Sequence, residues 1–260
     1  MLFKHLAESL KNPTYWTYSG WLDIITKYRR SRLGVLWMLV PPIFYVWGLG
    51  SYFASLQSFH VGNFVAHVGI GFLLFRMLMT VINDSSGTLS AHQAFILDGH
   101  TRLTDFVLLV AAKAVFYFII ALPILGVALW MADDIQAQGV WMSLLTMPVL
   151  LLNMVWMAVV FALLGARFPD VQELMGSLFI FGFVLTPIIW YGNLAPAQSL
   201  QGFLMRLNPL YHLIEIVRAP ILGEPIAIST WYAVAGLTIV GWLLASVVYR
   251  RYARYVPIWL

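Results

Sequence analysis

The sequence predicts an all-α polytopic membrane protein: six transmembrane helices, an N-terminal amphipathic helix at the membrane interface, and two short re-entrant helices between spans five and six. Three observations carry this expectation. Of 260 residues, 61% are hydrophobic and only 10% charged, more apolar surface than one soluble core can hide. The apolar residues fall into six runs of about the 20 residues that a helix needs to cross the hydrocarbon. The Lys and Arg residues gather in alternate loops, the pattern that holds those loops in the cytoplasm. One integral domain is expected, over residues 33–260, preceded by an interfacial segment over residues 1–32.

Span one sets the topology. In KYRRSRLGVLWMLVPP, from Lys27 to Pro42, charge stops at Arg32, and the next Lys, Arg, Asp or Glu is Arg76. Lys27, Arg29, Arg30 and Arg32 therefore flank the start of the first span and keep the N-terminal end inside. Upstream, Asn12-Pro13 reads as a helix start. Tyr15, Tyr18, Trp21, Leu22, Ile25 and Tyr28 then share one helical face, with Asp23, Lys27 and Arg30 opposite. Such a helix lies in the headgroup layer, either as an anchor alone or with a further role.

Span one, Leu33 to Leu56, carries Pro41-Pro42 and should kink there. Span two, about Phe64 to Asn83, holds Arg76, which either snorkels, pairs with a polar neighbour or lines a water-filled wall. Residues 84–105 cannot span; their apolar cluster Ala94, Phe95, Ile96, Leu97, stopped by Gly99, either docks a partner or rests on the membrane. Span three, Phe106 to Ala132, contains Lys113 and Pro123, and the loop after it lacks Lys and Arg, as an outer loop should. Span four, Trp141 to Gly165, returns to the turn Ala166-Arg167-Phe168-Pro169-Asp170.

Span five, Leu174 to about Trp190, is short and broken at Thr186-Pro187. Between residues 192 and 225 lie two pieces, Ala197 to Leu207 and Leu210 to Leu222, too short to cross and too apolar for a solvated loop. Re-entrant half-helices satisfy both constraints. His212, Glu215 and Arg218 recur every three residues on the second piece, either as an ion-paired packing face or as a stripe at a pore mouth. Span six, Ile228 to Tyr249, ends in Arg250-Arg251-Tyr252-Ala253-Arg254, so both termini are expected in the cytoplasm.

Several chemistries are excluded by what the residues do not form. No lysine sits in a G-x-x-x-x-G-K-[ST] frame, so the chain is not expected to hydrolyse ATP. The six histidines show no metal-ligand spacing, and no cysteine is present. Catalytic and metal sites, a cofactor held by this chain and nucleic-acid binding are none of them expected.

KYRRSRLGVLWMLVPP, GARFPDVQELMGSLFIFGFVLTPIIWY and NPLYHLIEIVRAPILG together resemble the membrane subunit of ABC type 2 polysaccharide exporters, the permeases for O-antigen, capsule and wall teichoic acid in bacteria. The chain departs from the family pattern at Val40-Pro41-Pro42 and at Arg76. The resemblance implies a homodimer in the bacterial inner membrane, a cytoplasmic ATP-binding subunit dimer that holds ATP and Mg, and a lipid-linked glycan passing between protomers. It makes residues 15–32 an interface helix, residues 84–105 a coupling loop that meets the ATPase through Phe95, Ile96, Leu97 and Asp98, and residues 192–225 a pair of gate helices. Lys27, Arg29, Arg30 and Arg32 become candidate contacts for a lipid phosphate. Arg76, Trp190, Tyr191, Tyr211, His212, Glu215 and Arg218 become candidates for the channel or gate. The aromatic share of the chain, 15%, suits a path on which sugar rings slide, part of it serving the interfacial belts. Readings kept beside this one are a type 2 permease for a small amphiphile or drug, a membrane-embedded transferase and a secondary transporter. The last is disfavoured because the spans lack carboxylates for ion coupling.

Overall fold

The computed structural model describes residues 1–99, 101–133 and 135–260, and among them every regular element is helical. Five segments are long and apolar enough to cross a membrane: 34–56, 61–91, 103–130, 137–167 and 228–259. The predicted fifth span is a helix of 16 residues, Asp170–Leu185. That makes it about 24 Å long, short of the hydrocarbon thickness. It reaches Trp190 only through non-helical chain.

Two helices precede the first span. α1 (Leu2–Lys11), which no sequence signal singled out, buries Leu2, Leu6 and Ser9. Phe3 stacks on Trp242 at 5.4 Å, and His5 Nδ1 lies 2.9 Å from the Tyr249 hydroxyl. α2 (Pro13–Tyr28) starts where Asn12-Pro13 predicts and ends within the basic run, with Lys27 in its last turn and Arg29, Arg30 and Arg32 beyond it. Gly20 and Ile24 are buried, while Tyr18, Trp21 and Leu22 point outward. Gly20 makes a close approach to the long helix beside it: a Cβ there would lie 3.3 Å from the Leu109 carbonyl oxygen, a tight contact that glycine avoids. Lys113 reaches across that seam to Asp23 at 3.4 Å.

The first span is broken as expected, and further than a kink. A 3-10 turn (Gly34–Met38) leads into α3 (Val40–Ile43), then a π-turn (Phe44–Leu49), then α4 (Gly50–Leu56). Pro41 and Pro42 supply no N–H, so the i to i−4 ladder cannot run through them, and the chain re-pairs tighter before and wider after. The π-turn brings Tyr45 onto Phe72, centroids 4.3 Å apart.

α5 (Val61–Ala91) is the central post and the longest element of the N-terminal half, with 31 residues. It spans about 46 Å. It overruns the predicted end at Asn83, so residues 84–91 are helix and not loop. Ser85, Ser86 and Gly87 look like loop residues, but they are small residues at a helix seam, the device by which membrane helices pack closely. A Cβ on Gly165 would overlap the Ser86 carbonyl, so the backbones touch there. α6 (Gln93–Leu97) is one turn; α7 (Leu103–Trp130) and α8 (Ala137–Arg167) follow, with Pro123 and Pro148 inside them.

α9 (Asp170–Leu185) buries only Phe179 fully within its length. α10 (Leu200–Leu207) and α11 (Pro209–Ile221) match the two expected short pieces, and α12 (Ile228–Tyr252) is the last long helix. α13 (Val256–Trp259) follows a 3-10 turn. Hydrogen bonds gather α1, α6, α13 and the start of α7 at one end of the bundle. The α4–α5 and α7–α8 connections and the junctions around α10 and α11 lie at the other.

Candidate functional site

The polar residues of the bundle converge at the α11 end. Asn208 caps α11 through its side-chain oxygen on Leu210 N, 3.0 Å, and donates from Nδ2 to the Thr186 hydroxyl at 2.8 Å. One asparagine thus ties the start of α11 to the point where α9 stops. α11 is fastened to α8 by two hydroxyls that donate to its carbonyls: Ser143 to Val217 at 2.6 Å and Thr146 to Ile216 at 2.8 Å. Gly139 allows that contact, since a Cβ there would overlap the Pro220 carbonyl.

The predicted stripe His212, Glu215, Arg218 exists, but most of it faces inward, a correction to the reading in which it lines a pore mouth. Arg218 is 1% exposed and pairs with Glu215 at 2.6 Å. Its Nη1 donates to the Pro187 carbonyl. His67 Nε2 faces the carbonyls of Pro187 and Trp190 at 3.2 and 3.1 Å and lies 3.2 Å from Arg218 Nη1. His212 is bound on both ring nitrogens, by the Thr230 hydroxyl and the Arg206 carbonyl. Burial of a guanidinium is tolerable only with such partners. The cluster therefore locks the unwound stretch after α9 onto α5 and α11. His67, with no distinctive spacing of its own, was legible only as a polar residue within a span.

Above this lock is a polar cleft of about 300 Å³, whose lining includes Tyr191, Asn193, Arg206, Tyr211, Glu215 and Glu224. Of the predicted gate residues it brings together Tyr191, Tyr211 and Glu215. Burial, then the Glu215 carboxylate, pushes the Tyr211 phenol up. Burial also raises Glu224, with Arg218 opposing and Glu215 assisting. Tyr191 packs its ring against His67 at 4.5 Å and Phe59 at 4.9 Å. Trp190 is turned aside, donating to the Val184 carbonyl at 3.1 Å. Asn193, Arg206 and Glu224 were missed because they enter from loops and α10 rather than from the stripe.

Arg76 stands apart, in a cleft of about 380 Å³ between the broken first span, α5 and α9. Its Nη1 donates to the Met38 carbonyl at 3.4 Å, and its guanidinium lies 5.6 Å from the Tyr117 ring centroid. The side chain is thus paired, and it edges an aromatic cleft with Tyr45, Phe72 and Phe183. A second groove of about 590 Å³, almost wholly apolar, runs between α8, α9 and α10.

At the opposite end Lys27, Arg29, Arg30 and Arg32 are all exposed, the first in the last turn of α2 and the others on the turn that leads into Gly34 at φ +53°. On α6, Phe95 and Leu97 are each 55% exposed, but Ile96 is 7% exposed and belongs to the core, a correction to its place in the docking knob. Asp98 follows as the C-cap, before Gly99 at φ +78°. No group of three or more His, Asp or Glu suited to a metal occurs among the described residues.

A multi-span helical bundle with a polar cleft at one end, a basic collar at the other and an arginine-edged aromatic cleft between defines an integral membrane protein of the helical-bundle class. Sequence comparison makes the class specific: residues 16–222 match the model of the ABC-2 type transporter family, and the chain belongs to that family. It is similar to the capsule polysaccharide export inner-membrane protein CtrC of Neisseria meningitidis, 24% identical over 240 residues that cover 89% of this chain and 88% of that protein. It is similar also to the polysialic acid transport protein KpsM of Escherichia coli, 22% identical over 77% of this chain and 78% of that one. The O-antigen export system permease protein RfbA of Myxococcus xanthus is 20% identical, over 76% of each chain.

Proposed function

We propose that this chain is the permease subunit of an ATP-driven exporter that moves a lipid-linked polysaccharide across a bacterial inner membrane. The observation that carries this reading is family membership over residues 16–222 together with relatives named for capsule and O-antigen export that align over most of their own length. The chain works as a homodimer on a cytoplasmic dimer of ATP-binding subunits, which hold the ATP and Mg; it is not itself an enzyme. α9, extended to Trp190 by non-helical chain, makes the sixth crossing, and both termini are cytoplasmic. The basic residues before the first span and at the end of α12 support that orientation.

Within this scheme α6 offers Phe95 and Leu97 to the ATPase. The collar Lys27, Arg29, Arg30 and Arg32 receives the phosphate of the lipid carrier, because guanidinium groups grip phosphate oxygens bidentately. The glycan passes between protomers along α9 and leaves past the cleft of Tyr191, Tyr211 and Glu215. α10, which exposes Leu200, Phe203 and Leu207, is the movable part of the outer pair, whereas α11 is bolted into the bundle. Deletion of the gene should leave the surface glycan missing and its lipid-linked form accumulating inside. Normal surface glycan with loss of resistance to a small amphiphile would instead assign the permease a small-molecule cargo.

A further inference from the structure

α6 is a single turn, and a single turn of helix does not hold its own shape in water, since nucleation is unfavourable and few bonds repay it. Its direction must come from what touches it. On one flank α1 reaches the loop after it and the start of α7: Arg102 Nε pairs with Glu8 at 2.9 Å, and Ser9 Oγ meets Thr104 Oγ1 at 2.7 Å. The Thr101 hydroxyl donates to the Phe95 carbonyl at 2.9 Å, closing that loop onto the helix. On the other flank is the segment that follows α12. Gln93 Nε2, at the first position of α6, donates to the main-chain oxygen of Leu260.

That segment is itself fixed by rings. Val256 is fully buried. Trp259 is half-buried, with Tyr252 and Tyr255 at 6.1 and 6.3 Å and the Arg167 guanidinium 5.7 Å from its ring centroid. Arg167 is the last residue of α8 and lies also 5.4 Å from the Phe168 ring. A cavity of about 310 Å³ adjoins this stack, bounded by Leu163, Arg167, Phe168, Tyr252 and Trp259 among others. The stack thus connects the end of α8 and the end of α12 with the start of α6, through one tryptophan and one amide.

We propose that residues Ala253–Leu260 are a positioning brace for α6: Trp259 holds the segment against α8, and the Gln93 to Leu260 contact fixes the direction in which Phe95 and Leu97 project. A force applied to those two side chains is then passed to α8 and α12 rather than spent in tilting a loose turn. The proposal rests on the reading of α6 as the ATPase-docking helix, and its first test does not depend on that reading. Amide exchange is followed at residues 92–99 in the purified permease. Trp259→Ala should speed exchange there about tenfold, the scale of one lost hydrogen bond's stabilisation, with residues 145–160 of α8 unchanged. Trp259→Phe should keep the slow rate, and Gln93→Ala, a change at a half-buried position that leaves the ring stack intact, should reproduce the speeding.

The second test uses the permease with its co-purified ATPase. Trp259→Ala should retain ATP hydrolysis but lose export severalfold. Because the chain has no cysteine, Gln93→Cys with Leu260→Cys joined by a short thiol cross-linker should restore export in the Trp259→Ala background. Unchanged exchange at residues 92–99 in both Trp259→Ala and Gln93→Ala, or failure of the cross-link to restore export, overturns the brace. If no ATPase co-purifies with the unaltered permease, the docking reading falls, and the exchange measurement still decides the brace.

Discussion

Arg218 offers the most demanding test of how the α11 end is held. Its guanidinium is almost fully enclosed, Glu215 is its ion-pair partner, and the Pro187 carbonyl takes a second N–H. Removing one member of a buried pair leaves the other charge without compensation, which costs about 3–5 kcal/mol, so Arg218→Met and Glu215→Gln should each destabilise by that amount. Replacing both, as Arg218→Met with Glu215→Leu, removes both charges together. What then remains is the weakened satisfaction of Pro187, about 1 kcal/mol, because His67 still faces that carbonyl. For a chain of this size a kilocalorie moves the melting temperature by about 2–4 °C, so each single variant should melt about 6–20 °C lower and the double variant within a few degrees of the parent. Tryptophan fluorescence of the detergent-solubilised protein reads the transition, and the four proteins complete a double-mutant cycle. Singles that melt within about 2 °C of the parent, or losses that simply add in the double, would show that the pair does not lock this junction.

Three further outcomes are expected. Phe95→Asp places a charge on an exposed ring of α6 and should abolish export while membrane insertion and α6's contacts through Ile96 persist; normal export with the ATPase bound would contradict the docking role. Arg29→Lys with Arg30→Lys keeps the topological charge but removes the bidentate fork, so glycan-stimulated ATP hydrolysis should fall severalfold with insertion unchanged, and an unaltered rate would leave the collar a topology signal only. Glu224 is raised from its ordinary value by burial, so the folded state holds its proton more tightly than the unfolded one, and stability is lost as pH rises from about 4.5 through the raised value. Glu224→Gln should flatten that decline in melting temperature between acid and neutral pH; an identical pH profile for parent and variant would sink the assignment.

The spans were legible because a bilayer imposes one simple requirement, about 20 apolar residues with every backbone group satisfied, and that requirement is written in composition. Pro41-Pro42, Thr186-Pro187 and Asn208-Pro209 likewise announced the breaks that the structure shows, since each removes a donor or caps a turn. What was not legible is which face of an element meets protein. α2 turned Gly20 inward beside Ile24, and α5 ran on through Ser85, Ser86 and Gly87, because backbone contact between helices rewards small residues that read as loop or polar surface in sequence. The His212, Glu215, Arg218 stripe was found by its spacing, but its direction depended on His67 and the Pro187 carbonyl, one far away in sequence and the other not a side chain at all. α1 and the stack around Trp259 escaped notice for the same reason: their meaning lies in contacts between segments far apart in the chain, Phe3 with Trp242 and Arg167 with Trp259.

Transport by the isolated components decides whether this chain is the permease. Inside-out membrane vesicles carrying this chain and its ATP-binding partner should take radiolabelled lipid-linked polysaccharide into the lumen only when ATP is supplied, and vesicles lacking either subunit should take up none. Accumulation that proceeds equally without ATP, or equally in vesicles without this chain, would contradict the assignment of the chain as the permease of an ATP-driven glycan exporter.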